Sequence, residues 1–191
     1  MPFRPSGRRI AGAVAIATMA TAATLAATSP AQAATNFFRI DNFNSHLALT
    51  ATSATDRAPV VQSNLSSTNF RQQWAIRTNP GTAALTYVLR QKISAGGQLV
   101  DGCLDLPRDV DRDQQFAGEV LVVRPCDGTN SQRWLDVNTN SSQGTANLEN
   151  KLSLMKIDVD NNKPLSPGAV AIQNDVSQPS QRFFRAFVAS A

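Results

Sequence analysis

Few residues of this chain are of types that carry out covalent or metal chemistry. The single histidine, His46, follows Asn44-Ser45, so a Ser-His-Asp relay would have to be built on that one turn. Asp109, Asp111 and Asp113 alternate in a way that could gather carboxylates around Ca²⁺. An EF-hand loop would need glycine in place of Gln114 and glutamate in place of Val120, so the run reads as a solvated acidic loop with no metal. Cys103 and Cys126 are the only cysteines, too few for a Cys-only metal site, with His46 distant in sequence. No catalytic constellation emerges, and neither enzyme activity nor a cofactor is expected.

A different pattern stands out. Gln72-Gln73-Trp74, Gln132-Arg133-Trp134 and Gln181-Arg182-Phe183 share one form, at intervals of 60 and 49 residues, and both tryptophans of the chain lie in it. A unit of that length is a supersecondary element that needs neighbours to bury its apolar side. Three copies, at about residues 35–80, 81–138 and 139–191, suggest a closed threefold assembly.

The elements that must position this pattern read as strands. Apolar residues occur in short alternating or β-branched runs, such as Phe38-Arg39-Ile40, Thr86-Tyr87-Val88-Leu89, Val120-Leu121-Val122-Val123 and Lys156-Ile157-Asp158-Val159. Turn formers such as Asn79-Pro80-Gly81, Gly96-Gly97 and Asp127-Gly128 separate them, so the chain is all-β. Aligned on their Gln-x-aromatic ends, the copies share an aliphatic-polar pair: Leu49-Thr50, Leu104-Asp105 and Ile157-Asp158. A second strand follows in each, over 57–63, 118–124 and 168–174.

Composition narrows the partners. Arg4, Arg8 and Arg9 precede an alanine-rich apolar run and Ala31-Gln32-Ala33, so residues 1–33 read as a cleaved secretory signal. Those residues hold three of the 18 Lys and Arg and none of the 14 acids, so their removal lowers the formal charge from +4 to +1. No basic stripe with interleaved aromatics remains, which argues against nucleic acid. No later segment approaches the roughly 20 apolar residues that span a bilayer. Residues 34–191 are then expected as one exported, soluble, monomeric domain, and an even cysteine pair in an oxidising compartment reads as a Cys103–Cys126 disulfide.

The Gln-x-Trp ends, Cys103-Leu104-Asp105-Leu106, Gly118 with the strand to Pro125-Cys126, and Phe38-Arg39-Ile40-Asp41-Asn42 together resemble the ricin B-type lectin family across nearly all of residues 34–191. Phe183 departs from its tryptophan. The resemblance implies a β-trefoil, a six-stranded barrel capped by three hairpins. It also implies roles: the aspartate of the Leu-Asp pair accepts sugar hydroxyls, the polar residue before the glutamine adds a contact, the glutamine orients the aspartate, and an aromatic ending the second strand stacks on the ring. Hydroxyls favour a charged acceptor, and the ring's C–H face favours an aromatic surface.

On this chain the first lobe has Thr50, Ser63 and Arg71 at these places and keeps little besides Gln72. The second keeps Asp105 and Gln132, with Arg124 at the stacking position and Ser131 before the glutamine. The third keeps Asp158 and Gln181, with Asn174 and Ser180. No lobe has its aromatic platform. The expectation is a secreted lectin-like module that binds glycan or polysaccharide weakly through its second and third lobes. The alternative is a protein-binding trefoil, for example an inhibitor of secreted hydrolases, whose sugar positions have decayed.

Overall fold

Among the described residues of this computed structural model, fourteen strands follow one another: β1 (Asn36–Asn42), β2 (Ala48–Ala51), β3 (Ala58–Ser63), β4 (Trp74–Thr78), β5 (Leu85–Leu89), β6 (Ile93–Ala95), β7 (Gln98–Val100), β8 (Gly102–Asp105), β9 (Val122–Pro125), β10 (Trp134–Asn140), β11 (Thr145–Asn150), β12 (Lys156–Val159), β13 (Ala171–Asn174) and β14 (Phe183–Ser190). The structure describes residues 35–107, 115–160, 162 and 164–191. The segment read as a signal, 1–33, and Asp109, Asp111 and Asp113 lie outside the described residues.

Six strands close on themselves. β1 pairs with β4, β4 with β5, β5 with β10, β10 with β11, β11 with β14 and β14 with β1, all antiparallel, so every barrel strand has a neighbour on both sides. Closure removes the open edges that an antiparallel sheet otherwise exposes. The hairpins β2–β3, β8–β9 and β12–β13 cap one end.

A ring of backbone bonds joins the caps. The N–H groups of Arg57, Gly118 and Gly168 donate to the carbonyls of Val123, Gln173 and Gln62, each bond 2.8 Å and each crossing to a different lobe. These three donors are equivalent positions, and all have positive φ: 61° at Arg57, 89° at Gly118 and 88° at Gly168. Glycine takes this conformation freely. Arg57 shows that the ring imposes it on an ordinary side chain as well. The architecture is a β-trefoil.

The core sits where the lobes meet. Trp74, Trp134 and Phe183 begin the last strand of each lobe and are 0%, 0% and 2% exposed. Ile40, Leu49, Leu104, Leu148 and Ile157 surround them. Rings of this size each bury roughly 150–250 Å². The indole N–H of Trp74 donates to the Leu49 carbonyl at 3.2 Å and that of Trp134 to the Leu104 carbonyl at 3.1 Å, equivalent bonds in two lobes.

The second lobe departs from its siblings between β5 and β8. A short hairpin, β6–β7, is inserted there, turning at Gly96-Gly97. Its Ile93 is fully buried, and a Cβ on Gly102 would come within 2.7 Å of the Ile93 and Val123 side chains, so only glycine leaves room for the insertion. The short apolar pattern of Ile93 to Val100 did not mark these strands. Asn42 and Asn150, which end β1 and β11, stitch lobes together. Their amides donate to the carbonyls of Ser180 and Ser131, while their side-chain oxygens accept two N–H groups of the following turn. The second lobe has Leu89 at that place.

Cys103 and Cys126 are bonded, with Cα atoms 5.0 Å apart and a sequence separation of 23. A loop of that size contributes about 3 kcal/mol by restricting the unfolded chain. Replacing both cysteines by alanine is expected to lower unfolding free energy by about that amount in chemical denaturation; an unchanged transition would show that the bond adds nothing. Trp134→Ala should cost about 3–5 kcal/mol, since it removes a buried ring that the barrel cannot collapse around. A variant melting with the parent would remove Trp134 from the core.

Candidate functional site

Each Gln-x-aromatic sequence begins in a single 3₁₀ turn, Phe70–Gln72, Asn130–Gln132 or Pro179–Gln181, before its barrel strand starts. The turn points the glutamine back at its own lobe's hairpin while the aromatic enters the core. Register makes Thr50, Asp105 and Asp158 equivalent, facing Val61, Val122 and Ile172. Ser63, Arg124 and Asn174 are equivalent in the same way, opposite Ala48, Cys103 and Lys156.

In the second lobe the Asp105 carboxylate is fully buried. It accepts from the Leu106 N–H at 2.7 Å and the Gln132 amide at 2.9 Å, and Ser131 adds a hydroxyl bond. Gln132 is itself clamped. Its amide also donates to the Pro125 carbonyl at 2.8 Å, and its oxygen accepts the N–H groups of Asp127 and Gly128. Arg124 contributes positive charge from the end of the hairpin.

The third lobe is more closed. Asp158 accepts from the Val159 N–H at 2.7 Å, the Asn174 amide at 2.9 Å, the Gln181 amide at 3.3 Å and the Ser180 hydroxyl. Two carboxylate oxygens offer about four acceptor sites, so those of Asp158 are nominally filled by its own lobe. The first lobe replaces the carboxylate with hydroxyls: Gln72 donates to Thr50 at 3.3 Å and to Ser63 at 3.4 Å, and Thr50 and Ser63 bond each other. Arg71 turns away to the Thr52 carbonyl.

All eight candidate residues thus fall into two clusters, Asp105 with Arg124, Ser131 and Gln132, and Asp158 with Asn174, Ser180 and Gln181. The clusters occupy separate lobes, so Asp105 and Asp158 do not form a catalytic pair. The sequence reading missed the backbone N–H groups of Leu106 and Val159, which bond the carboxylates from the next residue along. Only the local turn at the strand end reveals them. His46 has an aromatic neighbour, Phe43, with ring centroids 6.5 Å apart.

Comparison with known proteins rests on structure. No family model and no curated protein matches the chain. A designed threefold-symmetric protein, ThreeFoil, is similar at 24% identity with a TM-score of 0.62, over 78% of this chain and 97% of that one. An exo-β-1,3-galactanase from Clostridium thermocellum is similar at 20% identity with a TM-score of 0.63, over 81% of this chain but 30% of that one. SeviL, solved with asialo-GM1 saccharide, is similar at 10% identity with a TM-score of 0.52, over 79% and 96%. At these identities the likeness establishes the β-trefoil fold.

Burial pushes the Asp105 carboxyl above the ordinary carboxylate range, against the opposing pull of Gln132, Ser131, the Leu106 N–H and Arg124. A folded value above the unfolded one means that the folded state holds the proton more tightly. Stability from this group is therefore present in acid and lost as pH rises through the folded value. Asp105→Asn cannot titrate, so its stability relative to the parent should improve as pH rises from about 4 towards neutrality. Urea unfolding at a series of pH values checks this, and parallel stability curves would contradict it.

Proposed function

We propose that the chain is an exported, lectin-like carbohydrate-binding module that engages polysaccharide weakly through its second and third lobes. One observation carries the reading. At equivalent positions of both lobes a buried aspartate is bonded by the glutamine of the Gln-x-aromatic turn, the orienting role that the resemblance to ricin B-type lectins implies, and also by the serine before that glutamine. The similar structures supply the fold on which such a site is built, and SeviL carries a saccharide.

Magnitudes set the strength. A lobe of millimolar affinity has about 4 kcal/mol of binding free energy. The missing aromatic contact removes roughly 1–2 kcal/mol of it, which weakens a lobe about five- to thirty-fold. A free monosaccharide then scarcely binds to either lobe. A polymer that reaches two lobes recovers affinity because the second contact forms at high effective concentration. The filled acceptors of Asp158 favour the second reading, a protein-binding trefoil, since a sugar hydroxyl would have to displace Ser180 or Asn174.

Asp105→Asn combined with Asp158→Asn separates the two. The double variant should lose retention on a polysaccharide that the parent binds, while Thr50→Ala retains it, with circular dichroism confirming both folds. Retention by the folded double variant would move binding elsewhere on the surface and favour the protein-binding reading.

A further inference from the structure

The barrel end opposite the hairpin cap holds a cleft that neither lobe site uses. β14 pairs with β11 at one position only, Ala146 with Phe183, and then runs on beside β1 to Ser190. The gap between β14 and the β10–β11 hairpin is a cleft of about 210 Å³. Ile40, Leu148 and Phe183, all core residues, line it together with Phe184. Asp136, Thr139, Ser141, Thr145 and Arg185 add the polar lining.

The state of these polar groups narrows the occupant. Arg185 donates to Asp136 through both terminal nitrogens, one bond measuring 2.9 Å, and to the buried Tyr87 hydroxyl from Nε at 3.0 Å. Its charge and most of its five donors are committed, so an anionic ligand would meet a neutralised arginine and the Asp136 carboxylate. Among the described residues Asp136 accepts only these two bonds, which leaves acceptor positions for a ligand. Thr145 is 4% exposed and lines the cleft, and its hydroxyl has no hydrogen-bond partner among the described residues. The hydroxyls of Thr139 and Ser141 likewise have none. A purely apolar ligand would desolvate the Thr145 hydroxyl and the remaining acceptor positions of Asp136 without giving them partners, at a cost.

An apolar wall facing a carboxylate and free hydroxyls suits a neutral ring with one C–H face and several hydroxyl groups. The volume lies below the roughly 300–1,000 Å³ of pockets for drug-sized ligands, which limits the occupant to one ring. We propose that this cleft binds a single neutral pyranose unit, its apolar face towards Leu148, Phe183 and Phe184 and its hydroxyls towards Asp136 and Thr145. The ligand class is that of the function proposed above, but none of the residues is shared. In the partly exposed Phe184 the cleft also supplies an aromatic side chain, which the second and third lobes lack at their stacking positions.

Titration with methyl β-D-galactopyranoside and methyl β-D-glucopyranoside, followed by amide ¹H–¹⁵N spectra, tests the site. Saturable shifts are expected at Thr139, Ser141, Thr145 and Arg185 with at least one of the two. Ser141→Trp, a substitution on an exposed turn, should abolish them by filling the mouth, and Asp136→Asn should weaken binding roughly tenfold through loss of a charged acceptor. The shifts should persist in Asp105→Asn/Asp158→Asn. Absence of cleft shifts with both glycosides, or cleft shifts that Ser141→Trp leaves intact, would overturn the proposal. Cleft shifts in a protein whose double variant keeps its polysaccharide retention would support this site and count against the lobe sites alone.

Discussion

The burial of one aromatic side chain per lobe, two residues after a glutamine, fixes both the core and the place where a ligand could be held. In the second lobe Trp134 reaches back to the Leu104 carbonyl while Gln132 reaches to the carboxylate of the next residue, Asp105. One three-residue segment thus grips two consecutive residues of β8, and the ring's position in the core dictates where the carboxylate stands. The first lobe repeats the grip with Trp74 on the Leu49 carbonyl and Gln72 on Thr50. The Phe183 ring has no N–H to offer. In the third lobe the hold on the hairpin passes to Asp158 itself, through Asn174, Ser180 and Gln181.

Burying a carboxylate disfavours its charge, and the lobes offset this differently. Asp105 has three hydrogen-bond donors and a nearby arginine, yet its carboxyl remains above the usual range. Asp158 gains a further donor in Asn174, which stands where a stacking aromatic would otherwise end the hairpin. The side chain that could have faced a sugar ring instead donates to the Asp158 carboxyl beneath it. Lobe one avoids the problem by using Thr50 and Ser63, whose hydroxyls are satisfied by each other and by Gln72. Threefold symmetry of the backbone therefore coexists with three different polar interiors.

The repeat, the strands, the buried aromatics and the disulfide were legible because each leaves a mark that survives in one dimension: recurrence, alternation, a rare residue type or an even cysteine count. Asp105 and Asp158 could be placed because they follow an aliphatic residue at the same distance in each hairpin. Other features left no such mark. The β6–β7 insertion lies between strands that pair regardless of it, and its anchor is the buried Ile93 beside Gly102. The inter-lobe bonds of Asn42 and Asn150 join residues 138 and 19 positions apart, which no local pattern encodes. The positive φ of Arg57 comes from the ring of bonds between caps and is visible as glycine only at Gly118 and Gly168.

A glycan array carrying both monosaccharides and polymers, probed with the purified protein, tests carbohydrate recognition most directly. The account predicts signal on polysaccharides or extended glycans and little on isolated monosaccharides at the low density of a spotted surface, since weak sites gain from multivalent contact. An array without signal on any polymer, at protein concentrations reaching about a millimolar, would contradict it.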